Sequence, residues 1–182
     1  MKVYVMLADG FEEIEALSVV DVLRRGEVET IMVSVKADKT VASARNIQVI
    51  ADTTLDQIKV ELEDMIVLPG GGRGVDGLKN TKPLIDILKA HQAEKGLLAA
   101  ICAGPSIPGK LGFYNGVKAT CYPGFEEYLE GAMVTEDDVV VDQNFITARG
   151  AGVSLEFAYA ILSIIKSQEL AEKISKAMIY RV

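Results

Sequence analysis

A chain of 182 residues, 49% apolar and 25% charged, is long enough to bury one sizeable core, so residues 1–182 are expected to form a single domain. A formal net charge of −7 excludes the basic surface that nucleic acid or an anionic membrane requires, which leaves a small molecule or another protein as partner. Residues 1–15 turn acidic after a few apolar positions, far short of a signal peptide, and two cysteines make no disulfide framework, so a cytoplasmic protein with free thiols is expected.

The chain alternates short β-branched runs with amphipathic stretches. KVYVML (2–7) reads as a strand, EEIEALSVVDVLRR (12–25) as a helix and ETIMVSV (29–35) as a second strand, the rhythm of a parallel sheet covered on both faces. Residues 41–52 break that rhythm with two short pieces flanking Ser43 to Asn46, a hairpin at a sheet edge. DMIVLPGG (64–71) is a buried strand running into a Pro-Gly stop. A helix starts near Pro83, favourable in the first turn, and ends by Gly96. LLAAIC (97–102) is apolar throughout and therefore central. Residues 118–121, 138–142 and 144–148 read as further strands, the last two tightly joined, and helices over 154–167 and 169–180 finish the chain.

Ligands of open α/β sheets bind beyond the carboxyl ends of the strands. Three loops there are unusual: ADGFEEIE after the first strand, PGGGRG after 64–68 and CAGP after 97–101. The glycine loop lacks both the GK[ST] ending of a phosphate loop and the GxGxxG spacing of a dinucleotide fold, so nucleotide binding is not expected. Its glycines read either as a tight turn or as a source of free amides, from Gly71 or Gly72 beside Ala103, that hold an oxyanion. Cys102 reads either as a packed thiol or as a nucleophile on a sharp strand-to-helix turn, where a helix N-terminus favours thiolate. The one histidine, His91, falls late in the helix before that strand, at the opposite end of the sheet, and is expected on the surface. A Cys-His pair within one subunit is therefore disfavoured. A carboxyl group remains to tune the sulfur, and it must stay protonated to donate to a thiolate. Helical geometry alone leaves Glu12, Glu13 and Glu15 open.

In order and over nearly the whole chain, LADGFEEIEA, VLPGGG, AAICAGP and ARGAG resemble the ThiJ/PfpI superfamily, in the branch of the Parkinson-disease-associated protein deglycase and its bacterial relatives. The resemblance implies a three-layer α/β sandwich, flavodoxin-like and class I glutamine amidotransferase-like, with a mostly parallel sheet and a homodimeric assembly. It also implies a nucleophilic, readily oxidised Cys102, with Glu15 as its protonated partner and the amides of Gly71 and Ala103 lining the site. Gly72, Tyr122, Arg45 and Arg149 become candidate substrate-binding residues, Arg45 by reaching the partner subunit's site. No metal and no cofactor is implied. Ala103 stands where the protease branch has histidine, which removes the basis for peptidase activity. Tyr122 stands where the deglycase branch commonly has histidine, and a tyrosine is a poor base near neutral pH. Arg149 reads equally as a salt-bridge residue, and Cys121 as a core-facing thiol or as a resolving cysteine. The implied activity is cysteine-dependent attack on reactive aldehydes such as methylglyoxal, or on their early glycation adducts. The alternative is an oxidative-stress sensor or redox-regulated chaperone.

Overall fold

In a computed structural model, residues 1–180 are described. The chain runs β1 (Val3–Leu7), α1 (Glu13–Arg25), β2 (Thr30–Ser34), β3 (Thr40–Ala42), β4 (Gln48–Ile50), β5 (Thr53–Thr54) and β6 (Met65–Leu68). It continues through α2 (Gly72–Asn80), α3 (Lys82–Ala93), β7 (Leu97–Ile101), α4 (Ser106–Lys110), β8 (Lys118–Ala119) and β9 (Met133–Val134). The last elements are β10 (Val139–Asp142), β11 (Phe145–Ala148), α5 (Ser154–Ile165) and α6 (Gln168–Ala177).

Seven strands form the main sheet in the order β10-β11-β7-β6-β1-β2-β5, parallel except for the β10–β11 hairpin. The side-chain period of two divides each central strand between two cores. Val3, Val5 and Leu7 of β1 face Ala16, Val19 and Leu23 of α1 together with Phe157 and Ile161 of α5. Tyr4 and Met6 face the other way, into a cluster with Val75 and Leu78 of α2, Leu84 and Leu88 of α3, and Ile107 of α4. This is the mostly parallel, flavodoxin-like sheet with helices on both faces that the motifs imply.

Four local expectations are corrected. First, helix α2 occupies a stretch in which no helix is expected and whose glycines read as a tight turn or as a source of free amides; three glycines in nine residues argue against helix by about 1 kcal/mol each. Tertiary contact overrides that preference: a Cβ on Gly74 would lie 2.7 Å from the Phe11 Cα, and one on Gly77 2.7 Å from the Ala8 Cβ. The glycines let α2 lie against the β1–α1 loop while Val75 and Leu78 reach the core. Second, the β3–β4 hairpin forms its own two-stranded sheet rather than an edge of the main one. It is clipped to the β1–α1 loop by Gly10 N–H donating to Ala42 O (2.7 Å) and Ala44 N–H donating to Phe11 O (2.7 Å). Third, the strand expected over 118–121 shrinks to β8, which pairs with β9 apart from the main sheet. Fourth, His91 is buried, not on the surface: its Nε2 lies 3.2 Å from Leu97 O, and its ring fills the space beside Gly96 where a Cβ would stand. Burial lowers its pKa, with the Leu97 carbonyl pulling the other way. The ring serves the α3–β7 turn, away from the carboxyl ends of the strands.

Candidate active site around Cys102

Strands β1, β6 and β7 are neighbours, so the three loops singled out in the sequence emerge side by side. Cys102 follows β7 directly with φ +63°, a left-handed conformation that costs a non-glycine residue about 1–2 kcal/mol. Neighbouring backbone holds it there. Cys102 N–H donates to Ala148 O on β11 (2.9 Å), Tyr122 N–H donates to Cys102 O (2.9 Å), and Gly104 N–H folds back onto Ile101 O (2.9 Å). The helix that follows starts only at Ser106 and has five residues, so the helix-terminus explanation for a thiolate is weaker than the sequence suggests. The donors that reach the sulfur are instead the Ala103 and Gly71 amides.

Gly71 adopts φ +89° at the start of α2, where a Cβ would run into the Gly10 carbonyl and stand 2.7 Å from the Glu12 amide. Gly70 supplies an unanticipated contact: its N–H donates to Glu15 Oε2 at 2.7 Å. A Cβ on Gly70 would stand 2.6 Å from that oxygen, 2.7 Å from the Cys102 Cβ and 3.0 Å from its Sγ. Only a residue without a side chain lets the carboxyl and the thiol meet over this peptide. The clue in the sequence was the first glycine after the strand-ending Pro69, whose amide no longer has a ladder partner.

Glu15 is the glutamate of the acidic loop that reaches the sulfur, and it is 1% exposed. Glu12 sits at the start of α1 with Arg45 Nη1 4.0 Å away, and Glu13 is buried with Oε2 lacking a hydrogen bond. Burial raises Glu15 to about 7, against the Gly70 amide and the Cys102 thiol, which favour its charge. Burial, then the Glu15 charge and its hydrogen bond, push Cys102 up to about 12, with the Ala103 and Gly71 amides pulling down. A thiol below its ordinary range is therefore not what this site holds while Glu15 is ionised. Glu15 Oε1 is buried with no well-aligned hydrogen-bond partner. Protonation there removes a bare buried charge and provides an O–H for the adjacent sulfur, which already faces two amides. A thiol and a carboxyl in such contact titrate as a coupled pair rather than as two independent groups.

The remaining candidates lie at varying distance from this pair. The Tyr122 ring, half exposed, lies over Gly150: a Cβ on Gly150 would be 3.3 Å from the ring and 4.0 Å from Cys102 Sγ. Gly72 begins α2 and opens onto a separate cavity, with no atom within 4 Å of where its Cβ would be. Arg45, at the hairpin tip, is largely exposed. Arg149 is engaged structurally, donating from Nη1 to Glu136 O at 3.0 Å with the Glu136 carboxylate 3.9 Å away. Cys121 is 4% exposed in the core beneath α4, and burial raises it to about 11. Both cysteines are free. Among the described residues, no group of three His, Cys, Asp or Glu is placed to hold a metal ion, and no helix is long and apolar enough to cross a membrane.

Comparison with known proteins shows the family. The DJ-1/PfpI family model matches residues 1–164. The chain is 37% identical over 182 residues to protein DJ-1 homolog B of Arabidopsis thaliana, covering 99% of this chain but only 42% of that protein. It is 28% identical over 169 residues to the glutathione-independent glyoxalase DJR-1.2 of Caenorhabditis elegans, covering 92% of this chain and 89% of that one. The solved structure of oxidized DJ-1 from Toxoplasma gondii superposes with a TM-score of 0.93 at 33% identity, over 100% of this chain and 99% of that one. The match along most of the length, and the near-complete superposition, show that this chain belongs to the DJ-1/PfpI family.

Proposed function

We propose that this protein acts on small reactive aldehydes, methylglyoxal or glyoxal and their early adducts on amines and thiols, through addition of Cys102 to the carbonyl. The observation that carries this reading is the strained Cys102 elbow, with its sulfur against both the Ala103 and Gly71 amides and the buried Glu15 carboxyl. The glyoxalase named among its relatives supports the substrate class. In the reacting form the pair carries one proton, on Glu15, and one negative charge, on sulfur. The sulfur forms a bond to the aldehyde carbon, the carbonyl electron pair moves to oxygen, and Glu15 passes its proton to that oxygen. The product is a hemithioacetal. For methylglyoxal, transfer of the C1 proton to C2 through an enediol gives a thioester, and water releases lactate and restores the thiol. Glu15 is the group positioned to move these protons, and the amides of Gly71 and Ala103 stabilise the oxyanion. The Tyr122 ring lies over Gly150 beside the sulfur, and a tyrosine is a poor general base near neutral pH, so slow turnover is expected.

The test is loss of methylglyoxal and formation of lactate by the purified protein and its Cys102→Ser variant. Consumption that persists in the variant sinks the reading. Ultraviolet titration of the thiolate reports where the shared proton resides: a rise near pH 7 in wild type, absent in Cys102→Ser, puts it on Glu15.

A second reading, oxidation of Cys102 by peroxide to sulfenic and then sulfinic acid, draws on the same amides, which suit sulfur-bound oxygens. The oxidized form of the Toxoplasma gondii relative favours it. Mass spectrometry after peroxide treatment checks it, the sulfinic product being about 32 Da heavier at Cys102. Association with a second copy is part of the proposal: Ile14 on α1, and Ile47 and Ile50 on the hairpin that carries Arg45, are exposed, apolar surface of the kind a symmetric partner covers.

A further inference from the structure

On the helical layer formed by α2, α3 and α4 lies a cavity of about 440 Å³ whose lining does not include Cys102. Its walls are apolar, with Val75, Ile85, Ile107, Leu111 and Phe125 among them, and the Tyr128 ring closes one side. Two lysines stand at it. Lys79 is paired with Asp76 on its own helix, and since both line the cavity their charges offset. Lys110 is held with Nζ 4.4 Å above the Tyr128 ring centre and makes no ion pair among the described residues. In a chain of net charge −7, a cation left without a carboxylate at the edge of an apolar cavity is complementary to an anion that brings an apolar body. The cavity also backs onto both loops that surround the thiol. Gly72, in its lining, follows Gly71, whose amide faces the sulfur. Ser106, also in its lining, donates from Oγ to Ala103 O at 2.6 Å, on the residue whose amide also faces the sulfur.

We propose that this cavity binds a monocarboxylate with an apolar chain, its carboxylate on Lys110 and its chain between Val75, Ile107 and Phe125. The site goes beyond the aldehyde chemistry and is independent of it. Its volume lies within the range of small-molecule sites, and one charge with one apolar body is what its lining recognises.

The experiment is isothermal titration of the full chain with octanoate, with octanamide as the uncharged control. Wild type is expected to bind octanoate ~5- to 10-fold more tightly than octanamide, the ratio that one partly exposed charge contact supplies. Lys110→Met should erase that ratio while still binding both weakly, and Ile107→Trp, which fills the cavity, should abolish binding of both. Protein alkylated at Cys102 beforehand should bind octanoate as wild type does. Equal affinity for acid and amide, no octanoate binding by folded wild type, or binding lost on alkylation of Cys102 overturns the proposal. The Lys110→Met comparison does not depend on the core substitution, so it stands if Ile107→Trp fails to fold.

Discussion

Cys102 and Cys121 make an instructive pair. Both are free, both follow short strands, and burial lifts both thiols above their ordinary range, to about 12 and about 11. By acidity alone they are indistinguishable. What separates them is the surroundings. Cys102 sits on a left-handed elbow with two amides and a buried carboxyl against its sulfur. Cys121 lies in a core with Tyr114, whose hydroxyl is itself buried without a partner, and the charges that influence its thiol are those of Glu126 and Arg149. A thiol becomes a candidate nucleophile when nearby groups can accept its proton and stabilise the thiolate, and of the two cysteines Cys102 has such groups against its sulfur.

The sharpest way to break that contrast is to exchange the two sulfurs for oxygen. Cys102→Ser should reduce methylglyoxal consumption by ~10³-fold or more, about 4 kcal/mol of transition-state stabilisation, whereas Cys121→Ser should leave it within ~3-fold. Iodoacetamide should label Cys102 in the folded protein and leave Cys121 until unfolding, read by peptide mass spectrometry. Labelling of both at similar rates would erase the distinction.

Glu15 provides the next largest effect. Its folded pKa of about 7 lies above the ordinary 4.5, so between those values the folded chain keeps a proton that the unfolded chain releases. The stability from this group is fully present below pH 4.5 and is lost as pH rises to about 7, by on the order of 3 kcal/mol. Urea denaturation of wild type and Glu15→Gln from pH 5 to 8 should show the variant gaining on wild type as pH rises. A constant difference would mean that Glu15 is not held protonated. Activity should move the opposite way, rising as the pair loses its first proton near pH 7.

Smaller effects test the peptide that joins the two groups. Gly70→Ala puts a methyl 2.6 Å from Glu15 Oε2 and 2.7 Å from the Cys102 Cβ, so it should destabilise the fold by ~1–3 kcal/mol. It should also depress Cys102 alkylation more than Gly72→Ala does, since Gly72 faces open space. The smallest change is expected from Cys121→Val, a similar volume in an apolar site, which should shift stability by less than ~1 kcal/mol by thermal melting.

The order of strands and helices was legible because apolar runs of period two and amphipathic stretches alternate along most of the chain. The failures are local and share a cause. The α2 helix carries Gly72, Gly74 and Gly77, each unfavourable for helix, and forms because two of these glycines let it lie against the β1–α1 loop while Val75 and Leu78 are buried in the core. His91 reads as a polar residue late in an amphipathic helix, but the turn through Gly96 folds over its ring. In both cases a contact distant in sequence or set by a turn overrode the local preference.

The sequence by itself determined the α/β alternation, the three loops at the strand ends, the short residues around Cys102 and the absence of a histidine able to serve it, because these depend on residue type and local period. It left three glutamates open on geometry, and the family motif named one. Only the tertiary structure decided that Glu15 is buried against the sulfur, that Gly70 holds it there, that Arg149 is tied to Glu136, and that the two thiols lie in opposite kinds of surroundings. Burial and the aim of a backbone amide depend on how β1, β6 and β7 are placed beside one another, and no local pattern in the chain encodes that distance.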